Sequence, residues 1–251
     1  MTRPFVVIAG WILCIVAIIC RENWKRQRKR LTDIASTPTS KVAELLQAQK
    51  NSGKIVEVKG KLVAEEILSA PFTQRDCVFF HSTERDKVRA ISYDSRNGSG
   101  RKRERIYYST NTDSRSSQKF FIEDETGKIA IDPEGFEIEG DVVLKTEKAT
   151  HDEKNTINLG VAFQQCGEKI IAVLRKEMIL PPGKRAYAIG ELFVGSQGPF
   201  IGADPLKEKT CLVSLQSEES MLSDSSESVR KNLVIGILSL IAGLSLIVWG
   251  W

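Results

Sequence analysis

The sequence predicts a mainly β domain, of the small OB-like barrel kind with one short N-terminal helix, flanked by two transmembrane α-helices. Uncharged apolar runs occupy residues 5–20 and 233–251 of a 251-residue chain, and about 20 apolar residues in helical form cross a bilayer. Between these runs, short segments alternate apolar and polar residues with a period of two, which is typical of strands that bury one face.

Changes in composition along the chain predict five segments. The two transmembrane helices are predicted at residues 4–21 and 232–251. A basic juxtamembrane linker at residues 22–36 follows the first helix. An acidic, serine-rich linker at residues 217–231 precedes the second helix as a flexible tether. The β-rich soluble domain then spans residues 37–216.

A cleaved signal peptide is the alternative for the first apolar run, because Arg3 precedes a stretch of near-signal length. No small-x-small cleavage site follows the run, and Cys20 comes after Ile19, where a lipoprotein site has a small residue. The sequence therefore favours an uncleaved anchor.

Basic residues on both inner flanks predict the topology. Arg230 and Lys231 precede the second span, and only Arg3 lies on the outer side of the first. The positive-inside rule places the soluble domain in the cytoplasm and both termini across the membrane. The topology-setting residues after the first span are Arg21, Lys25, Arg26, Arg28, Lys29 and Arg30.

Cysteine usage agrees with a reducing compartment. The soluble segment has Cys77, Cys166 and Cys211, an odd number without a C-x-x-C pair. Free thiols are the predicted state.

The first element of the soluble domain is a predicted helix. Thr37 or Ser40 can cap it, Pro38 suits its first turn, and Gly53 ends it.

Strand segments follow, and their lengths suit a barrel or a sandwich. Gly127 gives the strongest turn signal, because a tight hairpin needs a residue at positive φ. Gly60, in the middle of a strand, predicts a bulge or a barrel corner. Residues 53–62 resemble 183–192, which indicates either two related β modules or two strands with a glycine kink. The strand segments are 54–66, 77–85, 105–110, 119–133, 141–148, 168–180, 184–194, 199–203 and 209–215.

No catalytic, cofactor or metal site is predicted. His81 and His151 are the two histidines. His151, Asp152 and Glu153 form a cluster in a polar run predicted as a solvated loop, whereas His81 lies in an aromatic strand as a hydrogen-bonded strand residue. The sequence also lacks a phosphate-binding loop with its strand-then-helix context.

The densest basic run inside the domain, RNGSGRKRER at residues 96–105, is predicted as a loop between two strands. A solvated loop is favoured over contact with anionic lipid head groups, and nucleic acid is not an expected partner. The candidate residues for contact with lipid or a protein partner are Arg96, Arg101, Lys102, Arg103 and Arg105.

Small residues in the spans predict a close helix pair. Packing within one hairpin and homo-oligomerisation through the spans both fit this pattern. The small residues are Gly10, Ala17, Gly236, Ser239, Gly243 and Gly250.

Four motifs between the membrane anchors together resemble the GIDE domain: CVFFHSTE, FFIEDETGKIAIDPEG, ILPPGKRAYAIGEL and PFIGADPLKEKTCLVSLQSEE. The resemblance covers roughly residues 38–220 and rests on the order of the motifs. GIDE domains occur in membrane-anchored E3 ubiquitin ligases of mitochondria and chloroplasts and in bacterial membrane proteins. The resemblance therefore implies a place in this family.

The ligase members carry a RING finger after the second span, with zinc-binding Cys and His residues. Because this sequence stops at Trp251, we expect a RING-less, bacterial-type member without catalysis of its own. The predicted function is a protein-interaction or scaffold module on the cytoplasmic membrane face. An unidentified protein partner would bind a strand edge or the run at residues 96–105. The alternatives are an inherited ligase-like activity and a lipid-binding, membrane-organising role.

Overall fold

A computed structural model describes residues 4–48, 53–94, 101–150, 167–204, 209–216 and 218–250. Strands dominate the described region between the two long helices and are arranged around a closed five-stranded barrel. Two helices are long and apolar enough to cross a membrane. The predicted fold class, a mainly β barrel domain flanked by two apolar helices, is therefore confirmed.

The helices are α1 (Pro4–Ser36), α2 (Val42–Leu46) and α3 (Glu218–Gly250). The strands are β1 (Ile55–Val63), β2 (Leu68–Ser69), β3 (Asp76–Cys77), β4 (Phe79–Asp94), β5 (Arg101–Arg115), β6 (Phe120–Asp124), β7 (Gly127–Ile131), β8 (Glu137–Glu139), β9 (Asp141–Ala149), β10 (Gly167–Leu180), β11 (Arg185–Gly195), β12 (Gly198–Gly202) and β13 (Leu212–Ser214).

The barrel closes in the order β1-β6-β7-β12-β11, with β11 pairing back to β1. The β7–β12 pair is parallel, and the other four pairs are antiparallel. Alternate side chains of these strands point inward and form one core, which includes Val58, Phe120, Ile122, Ala188 and Ile201. The two similar segments noted in the sequence belong to β1 and β11, which pair with each other.

Gly60 lies where β1 changes partners. Residues up to Lys61 pair with β11, and Lys61 to Val63 pair with β6. A Cβ atom at Gly60 would lie 2.3 Å from the carbonyl oxygen of Glu123 on β6. The glycine therefore permits the close approach of two strands at a barrel corner, as the sequence predicts.

Helix α2 is shorter than predicted and is capped by a distant hairpin. It begins at Val42, after Pro38, and its cap residue Lys41 makes no side-chain capping bond. The prediction of Thr37 or Ser40 as the cap is therefore wrong. A five-residue helix is too short to be stable alone and depends on tertiary contacts.

The β6–β7 hairpin supplies those contacts. Val42 N–H donates to Asp124 Oδ2 at 3.0 Å, and Ala43 N–H donates to Thr126 Oγ1 at 3.0 Å. Asp124 Oδ1 also accepts the N–H groups of Thr126 and Gly127 at 2.7 and 3.1 Å. One carboxylate thus orders the hairpin turn and the start of α2.

Residues 22–36 continue helix α1 without a break, which corrects the prediction of a separate linker. Arg30 forms ion pairs with Glu137 and Glu139 at 3.0 and 2.9 Å. Ile34 is buried in a cluster with Tyr187, Ile189 and Leu212. A helix that is already nucleated extends at little cost through Lys, Arg and Gln, so the apolar helix runs directly into the barrel.

The acidic segment predicted as a flexible tether is also helical from residue 218 onward. A Glu227–Lys231 ion pair of 2.7 Å supports this part of α3. Because the apolar part of α3 is already helical, extension avoids the cost of nucleation, which offsets the weak helix propensity of the Ser and Asp residues here. The prediction of a flexible tether is therefore wrong for the described residues.

Helices α1 and α3 pack antiparallel through small residues. A Cβ atom at Gly10 would lie 2.8 Å from the Gly243 carbonyl oxygen. Closer to the barrel, Asn232 Nδ2 donates to Gln27 Oε1 at 2.9 Å. The small residues therefore serve packing within one chain, and homo-oligomerisation stays a prediction.

The strands β5-β4-β10-β9 form a second, antiparallel sheet, which we call the arm. Strand β4 has 16 residues, which corresponds to about 50 Å at about 3.3 Å per residue. Phe79 and Leu180, at the base of the arm, belong to the barrel core. The arm therefore starts in the barrel and extends beyond it.

A buried carboxylate holds the base of the arm. Glu177 on β10 is fully buried and accepts the N–H groups of Phe72 and Thr73, both at 2.8 Å. The hydroxyls of Thr73 and Ser82 donate to it at 2.5 and 2.8 Å. Burial alone would raise the pKa of Glu177, but the hydrogen bonds from Thr73, Phe72 and Ser82 outweigh it and lower the pKa.

Arg115 makes a second attachment at the base. Its Nη2 donates to the carbonyl oxygens of Pro133 and Phe136, both at 2.8 Å. Its guanidinium lies 5.2 Å from the ring centroid of Phe79. These contacts join β5 to the segment that follows β7.

We expect Gly60→Ala to lower the free energy of unfolding by about 1–3 kcal/mol, because the added methyl group meets backbone atoms of β6. Urea unfolding of the detergent-solubilised protein, followed by the infrared strand band, measures this. Gly167→Ala is the control, since its Cβ atom would meet nothing within 4 Å. Equal losses for both variants would contradict the barrel-corner explanation.

We expect Glu177→Gln to lower the free energy of unfolding at pH 7 by about 1–3 kcal/mol, because a charged acceptor is lost. The folded pKa of Glu177 is depressed, so its contribution is present above the ordinary pKa of about 4.3 and is lost as pH falls through the folded pKa.

Urea unfolding at a series of pH values measures this contribution. The stability difference between wild type and Glu177→Gln should shrink as pH falls below about 4.3. The exposed carboxylate variant Glu125→Gln is the control. A difference that stays constant with pH would refute the assigned role of the Glu177 charge.

Candidate functional site

The far half of the arm, away from Phe79 and Leu180, has no hydrophobic core on either face among its described residues. Among its described residues, Val88 and Ala172 are the buried ones, at 6% and 5% exposure. The other side chains of this region whose burial the structure describes are partly or fully exposed. A sheet that is solvated on both faces relies on its backbone hydrogen bonds and on pairs of neighbouring side chains.

Ion pairs join side chains on different strands in the far half of the arm. On one side of β4, Arg89 Nε lies 3.0 Å from Glu104 Oε1 on β5. Lys87 Nζ lies 2.8 Å from Glu147 Oε1 on β9, on the far side of β10. Solvent screens surface pairs of this kind, so each contributes little to stability. Together they hold four side chains in place across the strands of this sheet.

The basic run predicted as a loop lies partly in a strand. The register of β5 pairs Arg101, Lys102, Arg103 and Arg105 with Asp94, Tyr93, Ser92 and Ala90. Arg96 lies outside the described residues, as do the side chains of Arg101 and Lys102. The loop prediction is therefore wrong for residues 101–105. Strand formation here depends on pairing with β4, which local composition does not reveal.

Strand β5 is the end strand of the arm, and no other described strand pairs with its outer side. Its outward N–H and C=O groups are therefore accessible to solvent or to another chain. Ile106 and Tyr108 are exposed at 49% and 56%, and Arg103 and Arg105 are exposed as well. Accessible backbone groups, apolar side chains and positive charge thus occur along one edge.

His81 is a hydrogen-bonded strand residue, as predicted. It lies in β4, and its Nε2 is 2.8 Å from Asp113 Oδ1 on β5. The cluster at residues 151–153 lies outside the described residues. The part of the chain that the structure describes contains no group of three His, Cys, Asp or Glu residues that could hold a metal ion.

The described cysteines are free thiols, namely Cys14, Cys20, Cys77 and Cys211. Cys166 lies outside the described residues. Burial, with the nearby Glu177 and Asp76 carboxylates, raises the pKa of Cys77 to about 11. Burial also raises the pKa of Cys211. A raised pKa keeps a thiol protonated, so neither residue is an activated nucleophile.

Comparison with known proteins identifies one family. The family model GIDE, described as E3 ubiquitin ligase, matches residues 91–248. The match includes β5, the strands β6–β13 and nearly all of α3. No curated protein and no solved structure matches the chain. The resemblance inferred from the four sequence motifs is confirmed.

The family assignment contradicts the prediction that the chain is not an enzyme. That prediction used the absence of RING zinc ligands after residue 251. The matched residues 91–248 carry the family assignment without such ligands, so the end of this sequence was not a valid argument against activity. The chain belongs to the GIDE family of E3 ubiquitin ligases.

Proposed function

We propose that this protein recruits a protein partner to the membrane surface through the far half of the arm, as its contribution to ubiquitin transfer. The observation that carries the proposal is a long sheet whose described far half adds nothing to the barrel core. The core closes on the five barrel strands and includes only the base of the arm. The far half is therefore available for binding.

The chemistry of ubiquitin ligation supports this role. A ligase must hold a substrate protein close to activated ubiquitin for long enough to react, and a tethered binding surface raises the local concentration of that substrate. The arm is tethered through β10 and β11 to the barrel, and the barrel is docked on α1 by Ile34. A partner bound to the arm would thus be held near the bilayer.

We also propose that the soluble domain faces the cytoplasm. The ends of α1 and α3 that adjoin the barrel lie side by side, since Asn232 contacts Gln27. Six basic residues lie between Arg21 and Arg30, on the barrel side of the apolar run. Basic residues therefore adjoin the barrel side of both spans, which supports retention of the soluble domain on the cytoplasmic side.

We expect a photo-crosslinking residue at Ile106 to capture a protein partner in cells, and the same residue at Ile67 to capture none. The two isoleucines are matched, with exposures of 49% and 47%, but Ile67 lies between β1 and β2, outside the arm.

The captured protein should also be a substrate. We expect Ile106→Asp with Tyr108→Asp to lower ubiquitination of that protein by about tenfold, the effect of about 1.4 kcal/mol of lost binding. Ile67→Asp should leave it unchanged. Mass spectrometry of ubiquitin remnants on lysine measures both. Unchanged ubiquitination in the arm variant would refute the recruiting role.

We expect a thiol introduced by Glu125→Cys to react with a membrane-impermeant maleimide in inside-out vesicles and to stay unlabelled in sealed right-side-out vesicles. Glu125 is an exposed turn residue of the soluble domain. Wild type is the control for its five native cysteines. Labelling in right-side-out vesicles would place the domain on the opposite side of the membrane.

A further inference from the structure

The geometry points to the outer edge of β5 as a site where an extended segment of a partner protein, with alternating acidic and apolar residues, adds as a fifth strand of the arm. This inference rests on the proposed function and specifies how the arm binds and what it selects. Three features of β5 support it: its accessible edge, its regular register and the different chemistry of its two faces.

The edge is long and regular enough to pair with a segment of about ten residues. The pairing of β4 with β5 shifts once, between Glu84 and Arg85, where β5 contributes an extra residue at Asn111. Residues 101–110 run without a shift. An uninterrupted ladder of this length exceeds a typical strand of about five to six residues. Its outward backbone groups can therefore pair with one extended peptide in a single register.

The two faces of β5 carry different side chains. Successive residues of a strand point to opposite faces, so Arg103 and Arg105 lie on one face, opposite Ser92 and Ala90 of β4. Ile106 and Tyr108 lie on the other face, opposite Arg89 and Lys87. An added strand would pair acidic residues with the two arginines and apolar residues with Ile106 and Tyr108.

The positive charge of the β5 edge favours an acidic partner segment over a basic one. Four of the first five residues of β5 are basic, and the exception, Glu104, is ion-paired with Arg89 at 3.0 Å. Like charges on adjacent strands destabilise their pairing, so Arg103 and Arg105 disfavour a basic segment. They also disfavour a second copy of β5 in registers that bring the basic ends together. Edge charges of this kind are a common protection against self-association.

Peptide binding to the full-length protein in nanodiscs of neutral lipid tests the inference. The probe is a fluorescent decapeptide of five Glu-Val repeats, and fluorescence anisotropy measures its dissociation constant. We expect saturable binding, and we expect Arg103→Glu with Arg105→Glu to weaken it by about tenfold or more. Lys145→Glu with Lys148→Glu, two exposed positions on the opposite edge strand β9, should change it by less than about twofold.

Three further peptides separate strand addition from charge attraction. A decapeptide of five Glu followed by five Val has the same composition without the alternation, and we expect it not to bind measurably. Two alternating peptides, one N-methylated at every Glu and one at every Val, keep the charges. Alternate N–H groups of a strand point to opposite edges, so one of these two loses every donor that faces β5 and the other loses none; we expect only one of them to bind. Equal binding of the block peptide, equal binding of both N-methylated peptides, or no binding of the alternating probe would overturn the inference.

The charge-conserving variant Arg103→Lys with Arg105→Lys should bind the probe within about threefold of wild type, which guards against loss through misfolding. Weak binding by this variant, with an intact strand band, would show that positive charge is not the selective feature and would overturn the inference.

Photo-crosslinking in cells gives an independent test. If Arg103→Glu with Arg105→Glu leaves capture from Ile106 intact, strand addition is refuted and the recruiting role stands. If wild type captures no partner from Ile106, the recruiting role fails, while the peptide result still decides the chemistry of the edge.

Discussion

The antiparallel pairing of β1 with β11 closes the barrel, and the buried Glu57 carboxylate holds other elements at this seam. Glu57 accepts the hydroxyl of Thr39 at 2.5 Å and that of Tyr187 at 3.2 Å, and it pairs with Lys59 at 3.2 Å. Thr39 belongs to the connection between α1 and α2, and Tyr187 belongs to β11. An unpaired buried carboxylate would be costly, so Glu57 stabilises the connection between α1 and α2 together with the barrel seam.

The arm depends on this seam because its inner strand continues into it. Strand β10 ends at Leu180 in the core, and β11 begins at Arg185 after a short turn. The barrel therefore sets the direction of the arm, while the far half has little buried apolar surface to stabilise it. Regions with few buried contacts and many solvated hydrogen bonds open most readily. Binding of a partner strand would add backbone hydrogen bonds where the arm is weakest.

The sequence predicted those elements whose structure depends on residues close together in the chain. The apolar runs, the alternating strands and the turn at Gly127 were all visible in the sequence. The cap of α2 was not, because Asp124 lies 82 residues from Val42. The strand at residues 101–105 was missed because a solvated strand has no apolar alternation to reveal it. The enzyme prediction failed for a different reason, since it depended on the end of the sequence.

The unbroken helix from the membrane to Ile34 makes the orientation of the barrel depend on helical phase. Between Cys20 and Ile34 the axis rises by about 20 Å, at about 1.5 Å per residue. One inserted residue in this interval would turn the barrel by about 100° around the helix axis, unless packing with α3 resisted it. The number of residues in the helix thus sets the distance of the arm from the bilayer. It also sets the direction of the arm in the plane of the membrane.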